Sequence, residues 1–157
     1  MTSEISYRRA VIDDADAISR LILQSQEKYT FHEYSPGGRQ FMRRICSGIS
    51  IGEYMHRGDV YFVAEYQNEI VGVIGIRNLD HIGHNFVSDV WHKKGISTHL
   101  WELARNECIA LGNAGSFTLR ASTYAIPVYE KWGFVKTGVA DSGDVVSTPM
   151  RLTIEAG

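Results

Sequence analysis

A change of hydrophobic period near the middle of the chain constrains the fold more than any other feature. Asn85-Phe86-Val87 ends an apolar, strand-like run, and Trp91-His92-Lys93-Lys94-Gly95 follows as a turn loaded with hydrogen-bond donors. Ile96, Leu100, Leu103, Ala104 and Leu111 then recur at helical spacing. Strand, basic turn and helix therefore follow one another directly, with the helix opening at or near Gly95. The first N–H groups of a helix lack intrahelical partners and sit at the positive end of its dipole, so this turn offers aligned donors to an anion such as a phosphate. Neither common phosphate loop is present. There is no G-x-x-x-x-G-K-[ST], and Ser97 and His99 stand where a G-x-G-x-x-G turn needs glycine.

The rest of the chain supplies a mixed α/β complement. Ile5 to Ile12 alternates as a short edge strand, and Asp13-Asp14 are placed to cap a helix with Ile18, Leu21, Ile22 and Ser25 on one face. After a turn around Tyr34-Ser35-Pro36-Gly37-Gly38 comes a second helical region, its apolar stripe read as Phe41, Ile45, Cys46 and Ile49. Val60 to Tyr66 and Ile70 to Ile76, separated by Gln67-Asn68-Glu69, predict a β-hairpin. Gly72 and Gly75 in its second strand mark places where something approaches closely. A further strand is expected over about His81 to Val87, and its His81, His84 and Asn85 are polar groups in an otherwise apolar sheet. The long helix stops at Leu111-Gly112, and Ser116 to Leu119 is the next strand. Ser122 or Thr123 caps a short helix that Pro127 requires to begin late, and Phe134 to Gly138 with Val145 to Ile154 make a final hairpin.

At 157 residues the chain reads as one domain, 1–157, and 44% hydrophobic with 22% charged residues describes an ordinary soluble globule. A formal net charge of −2 argues against a nucleic-acid partner, since Arg43-Arg44 and Lys93-Lys94 are doublets and not a stripe. Cys46 and Cys108 are too few for a disulfide framework and read as reduced, buried thiols of a cytoplasmic protein. Met1-Thr2-Ser3-Glu4 has no charged leader followed by an apolar core, so neither a signal peptide nor a membrane partner is expected. His81-x-x-His84 invites a metal reading. Three strand positions should turn the rings to opposite faces and no further ligands are evident, so no metal is expected.

Two stretches together carry a family resemblance. F-V-x-x-x-W-H-K-K-G-I-S at Phe86 to Ser97, with A-S-T-Y-A-I-P-V-Y-E-K-W-G-F at Ala121 to Phe134, resembles the GCN5-related N-acetyltransferase (GNAT) superfamily. The family's first motif is written Q/R-x-x-G-x-G/A; here His92, Gly95 and Ser97 fill those places, and Val90 stands where proline is frequent. In the second, Tyr124-Ala125, Pro127, Tyr129 and Gly133-Phe134 keep the family spacing, while Arg120 stands where asparagine is common. The resemblance implies a GNAT fold: a mostly antiparallel, twisted sheet of about seven strands, splayed between the fourth and fifth, with about four flanking helices.

It also implies transfer of an acetyl group from acetyl-CoA to a primary amine of a small molecule or peptide, by direct attack in a ternary complex. Backbone amides from Lys93 to Thr98 (Lys93, Lys94, Gly95, Ile96, Ser97, Thr98) would cradle the pyrophosphate, with lysine charge added. An amide near Val87, beside Phe86, would face the thioester oxygen. His92, Arg120, Ser122 and Tyr129 complete the expected cofactor contacts. Tyr129 is the expected general acid, a phenol protonated at neutral pH. His81 is the expected base, directly or through water, with His84 and Asp80 as rivals. Tyr29, Phe31, Tyr34 and Tyr54, with Glu33 and Glu53, suit a cationic amine without specifying one. Departures at His92, Ser97 and Arg120 leave open a non-catalytic acyl-CoA-binding or regulatory GNAT-like domain. The exposed final hairpin offers an edge to a second copy, a homodimer.

Overall fold

The structure is a computed structural model that describes residues 4–154; Met1-Thr2-Ser3, read above for want of a leader, lie outside the described residues. In chain order the elements are β1 (Ser6–Arg9), α1 (Ala15–Tyr29), α2 (Pro36–Ile45), α3 (Gly48–His56), β2 (Val60–Tyr66), β3 (Glu69–Arg77) and β4 (His81–Val87). There follow α4 (Ile96–Ala110), β5 (Ser116–Ala121), α5 (Ile126–Lys131), β6 (Val135–Lys136) and β7 (Thr148–Thr153). Seven strands form one sheet in the order β1-β2-β3-β4-β5-β7-β6. Every neighbouring pair is antiparallel except β4 and β5, which run parallel.

The β2–β3 hairpin forms because Gln67 and Asn68 both adopt positive φ, 49° and 65°, the two-residue turn that matches strand twist. Gly75 is required by packing: a Cβ there would lie 2.4 Å from the Tyr61 ring. Two cores sit on opposite faces of the sheet. Ile74, Ile76, Ile82, Phe117 and Leu119 meet Ile96, Leu100, Trp101 and Ala104 of α4 on one face. Tyr61, Val63 and Val73 meet Ile18, Leu21, Ile22, Cys46 and Ile51 of the α1–α3 layer on the other.

Four sequence expectations change. The second helical region is two helices, giving five among the described residues in keeping with the expected fold, because Ser47 accepts a hydrogen bond from the Ser50 N–H and restarts the chain as α3. That restart also rotates the buried stripe: Phe41 and Ile49 are 44% and 79% exposed, while Cys46 and Ile51 are fully buried. Asp13 and Asp14 do not cap α1 with their side chains; Asp14 instead accepts from the Val11 N–H at 2.8 Å and pairs with Arg8 at 2.7 Å. Finally, His81 and His84 share a face. Gly75 pairs with His84 and Ile76 with Ile82, so Gly83 is a bulge that resets the alternation. In the last hairpin β7 lies inside the sheet, leaving only the two residues of β6 as that edge.

Candidate functional site

Strands β4 and β5 pair only at His81 with Thr118 and Ile82 with Leu119, and then part. The wedge so opened runs along Gly83 to Val87. Ser88 N–H reaches the Val71 carbonyl at 2.8 Å, so alternation turns the Val87 N–H and C=O away from β3 and toward the wedge. The Val87 carbonyl is taken by His92 Nε2 at 2.7 Å, which fixes the basic turn against the end of β4. Its N–H faces the opening.

The turn itself is built from positive-φ residues, Lys93 at 62° and Gly95 at 80°, and delivers the chain into α4. Among the described residues, no protein acceptor takes the N–H groups of Lys93 to Thr98. A Cβ at Gly95 would meet nothing within 4 Å, so the approach to these donors is open. Lys93 and Lys94 are exposed beside them. Ile96 is buried against the sheet and anchors the first helical turn. This is a donor set that fits a pyrophosphate.

Tyr129 projects from α5 into the same region. Its ring, 7% exposed, is walled by Trp132 and Phe134 at centroid distances of 5.3 and 5.9 Å. Trp132 stacks on Trp101 of α4 at 5.6 Å and donates from Nε1 to Thr98 Oγ1 at 3.2 Å, locking α5 to the start of α4. Asn85, a residue the sequence marked only as polar within an apolar strand, links the parts. Ser97 Oγ donates to Asn85 Oδ1 at 3.1 Å, and Asn85 Nδ2 approaches the Tyr129 hydroxyl at 3.4 Å. The phenol oxygen accepts, so its own proton is left for another partner. Burial pushes the Tyr129 pKa up to about 12, partly offset by Asn85.

The two histidines occupy different surroundings. His84 is buried, bonded through Nδ1 to the Tyr61 hydroxyl at 2.8 Å and 3.6 Å from Cys46 Sγ through Nε2; burial lowers its pKa to about 4. His81 is half-buried, with Nδ1 bonded to Thr118 Oγ1 at 2.8 Å. Burial first, then Arg77 and Arg120, lower its pKa, and Asp80 opposes them. His81 lies at the closed end of the wedge, four strand positions from Asn85 or roughly 13 Å. Asp80 sits in the preceding turn, and its carbonyl accepts from the Thr118 N–H at 2.8 Å.

The remaining predicted residues scatter. Phe86 turns toward the α1–α3 layer. Ser122 precedes a single 3-10 turn, Thr123–Ala125, with no side-chain cap bond. Arg120 lies on the face of β5 away from α4, donating to Ser147 Oγ at 3.0 Å. Phe31 and Tyr34 are buried, and Tyr54 donates to the Ile45 carbonyl at 2.7 Å. Across the mouth of the wedge the end of α1 makes contacts no spacing foretold. Tyr29 stacks on Tyr124 at 4.4 Å and donates to Asp89 at 2.6 Å, Lys28 also pairs with Asp89, and Thr123 donates to Glu33 at 3.0 Å. Glu53 lies elsewhere, in a cleft of about 640 Å³ between the start of α1 and α3.

Among the described residues no helix is long and apolar enough to cross a membrane. In a search of curated proteins none matches the sequence. Solved structures match its shape. A GCN5-related N-acetyltransferase from Rhodopseudomonas palustris superposes with a TM-score of 0.80 at 20% identity, covering 98% of both chains. The PaiA N-acetyltransferase of Thermoplasma acidophilum, in complex with coenzyme A, gives 0.80 at 16% identity over 96% of this chain and 99% of its own. An aminoglycoside 6'-N-acetyltransferase complexed with coenzyme A gives 0.72 at 17% identity over 97% and 98%. At these identities the likeness is one of fold. In sequence, residues 17–154 match the family model of the acetyltransferase (GNAT) domain, and with the splayed sheet and the donor-lined turn in place, the chain belongs to the GNAT acetyltransferase family.

Proposed function

We propose that residues 1–157 act as one acetyl-CoA-dependent N-acetyltransferase domain, and that the bare N–H groups of Lys93 to Thr98 at the mouth of the β4–β5 wedge carry this reading. Acetyl-CoA supplies an activated acyl group: an amine nitrogen attacks the thioester carbonyl, the C–N bond forms, the C–S bond breaks, and an amide and free CoA thiol result. The donor turn holds the pyrophosphate, with Lys93 and Lys94 adding charge. The Val87 N–H, aimed into the wedge, serves the carbonyl oxygen. His92 is a positioning residue, since its Nε2 is committed to the Val87 carbonyl.

Tyr129 gives its proton to the departing sulfur. Its raised pKa keeps it protonated throughout the physiological range, and the Asn85 amide occupies the phenol oxygen without competing for the proton. His81 takes the ammonium proton through water, given the strand distance between it and Asn85. A lowered pKa keeps it neutral at pH 7, as a base must be. His84 is proposed as a packed core histidine, both of its nitrogens being engaged.

The test is release of free thiol from acetyl-CoA across a panel of primary amines, with CoA affinity measured alongside by calorimetry. Acyl transfer to some amine is expected. Tight CoA binding with no turnover on any amine would instead establish the non-catalytic acyl-CoA-binding reading.

A further inference from the structure

The helices α1 to α3 cover one face of β1 to β4 and leave the same face of β5 and β7 open. Register aligns the residues exposed along this strip. Arg77 of β3 stands opposite His81, His81 beside Thr118, and Thr118 opposite Arg151 of β7, so the four lie in one row across four strands. Arg120 follows Thr118 by two positions, on the same face and toward the wedge. The guanidinium groups of Arg77 and Arg120 thus flank the proposed base, and that of Arg151 lies one strand beyond Thr118. Among the described residues Arg77 and Arg151 have no ion-pair partner, and Arg120 has only Asp141 at 3.9 Å, with both side chains about half exposed (49% and 57%). A pair so exposed contributes little and yields readily to a better ligand. The nearby acids are Asp80, Asp141 and Asp59; the β2–β3 register brings Asp59 beside Arg77, but its carboxylate is bonded to Arg57 at 2.8 Å. Glu53, which the sequence offered for a cationic amine, lies in the distant cleft, and Glu33 is bonded to Thr123. In a chain of net charge −2 this local positive excess lies beside the wedge between β4 and β5.

The geometry points to an acceptor that carries an anionic group, a carboxylate or a phosphate, a few bonds from its amine, with Arg120 binding the anion beside the wedge. This rests on the acetyltransferase reading above and assigns to the acceptor a residue that the resemblance gave to the cofactor. Several considerations support it. A guanidinium presents a planar fork suited to two oxygens of either group, and Arg120 is held at one edge by Ser147 Oγ, so part of its orientation is set before a ligand arrives. Thr118 and Arg120 are separated by two strand positions, roughly 7 Å, which matches the span of an amino acid or a phosphorylated amino alcohol. A polyamine or lysine-rich acceptor would meet like charge here and is disfavoured.

Acetyl transfer would be measured for matched amines with and without the anion: phenylalanine against phenethylamine, methionine against 3-(methylthio)propylamine, and phosphoethanolamine against ethanolamine. The first two pairs report on carboxylate and the third on phosphate. The anionic member of at least one pair is expected to have a kcat/KM at least about tenfold higher. Arg120→Gln is expected to lower that value roughly 10- to 100-fold while changing the bare amine less than about threefold and leaving CoA affinity intact. Arg120→Lys should restore part of the preference. Preference for the bare amines, or equal loss on both members of every pair, would overturn the proposal. Loss of CoA affinity with acceptor preference unchanged would return Arg120 to the cofactor site. If no amine is acetylated, the enzymatic reading fails separately. Calorimetry of the same anionic amines with CoA-loaded wild type and Arg120→Gln still decides the anion site: weaker binding in the variant supports it and equal or absent binding refutes it.

Discussion

The proposed mechanism concentrates the proton transfer to sulfur into one oxygen atom, the Tyr129 hydroxyl. Tyr129→Phe keeps the ring between Trp132 and Phe134, so fold and CoA affinity should change little. If the phenol protonates the leaving thiolate, kcat with a competent acceptor should fall on the order of a hundredfold to ten-thousandfold. A variant within about threefold of wild type, with chemistry limiting turnover, would remove Tyr129 from the mechanism. His81 makes a different prediction, about pH. Its folded pKa is lowered, so activity should be lost only as the pH falls through a value below about 6.5, where the base gains its proton. His81→Ala should lose that acidic limb or most of the rate while CoA affinity persists. Wild-type and variant pH–rate profiles of the same shape would exclude it as the base. Tyr129, His81 and Gly95 were proposed on sequence because motif spacing singles them out. Asn85 was not: a single polar residue in an apolar strand announces no partner, and Ser97 and Tyr129 come to it only when α4 and α5 have docked.

The unit that organises the site is the β4–turn–α4 passage. Here the sequence was most informative, because a switch from strand to helix period and a glycine at the junction are properties of local chain geometry. Gly95 at φ 80° is a position where side chains other than glycine are strained by about 1–2 kcal/mol, more for a β-branched residue. Because no protein atom lies near its missing Cβ, Gly95→Val should fold with a modestly lower Tm yet place its methyl groups among the N–H donors. CoA affinity should drop at least about tenfold; unchanged affinity by calorimetry in a folded variant would place the pyrophosphate elsewhere. Elements whose boundaries depend on tertiary packing were less legible. The apolar stripe of residues 41–49 was misread because Ser47 breaks the helix there. Asp16 then packs so closely on Gly48 that a Cβ would lie 2.0 Å from its Oδ1. The Gly83 bulge, which puts both histidines on one face, leaves no sign in a pattern read at period two.

At the scale of the molecule the sheet separates two cores, and one polar cluster ties it to the α1–α3 layer. His84 of β4 meets Tyr61 of β2 and Cys46 at the end of α2, and burial raises the pKa of Tyr61 and pushes that of Cys46 up to about 12, so all three are neutral at pH 7. This arrangement couples global stability to pH through His84. Its folded pKa, about 4, is below the unfolded value of about 6.5, so between those limits the unfolded chain binds the extra proton and stability rises with pH. The stabilisation is complete above about pH 6.5 and lost progressively as the pH falls toward 4. Linkage puts the loss between pH 7 and pH 5 at about 2 kcal/mol from this group alone. His81, also lowered, acts in the same direction, and the lowered Asp14 adds its share at more acidic pH. The contribution of His84 is therefore a difference between proteins. His84→Gln should be less stable than wild type at pH 7, because Tyr61 and Cys46 lose a buried partner, yet its stability should fall by about 2 kcal/mol less between pH 7 and pH 5. Urea denaturation of both proteins at the two pH values measures this directly. Parallel losses would mean that the buried imidazole is not the group whose protonation loosens the helical layer from the sheet.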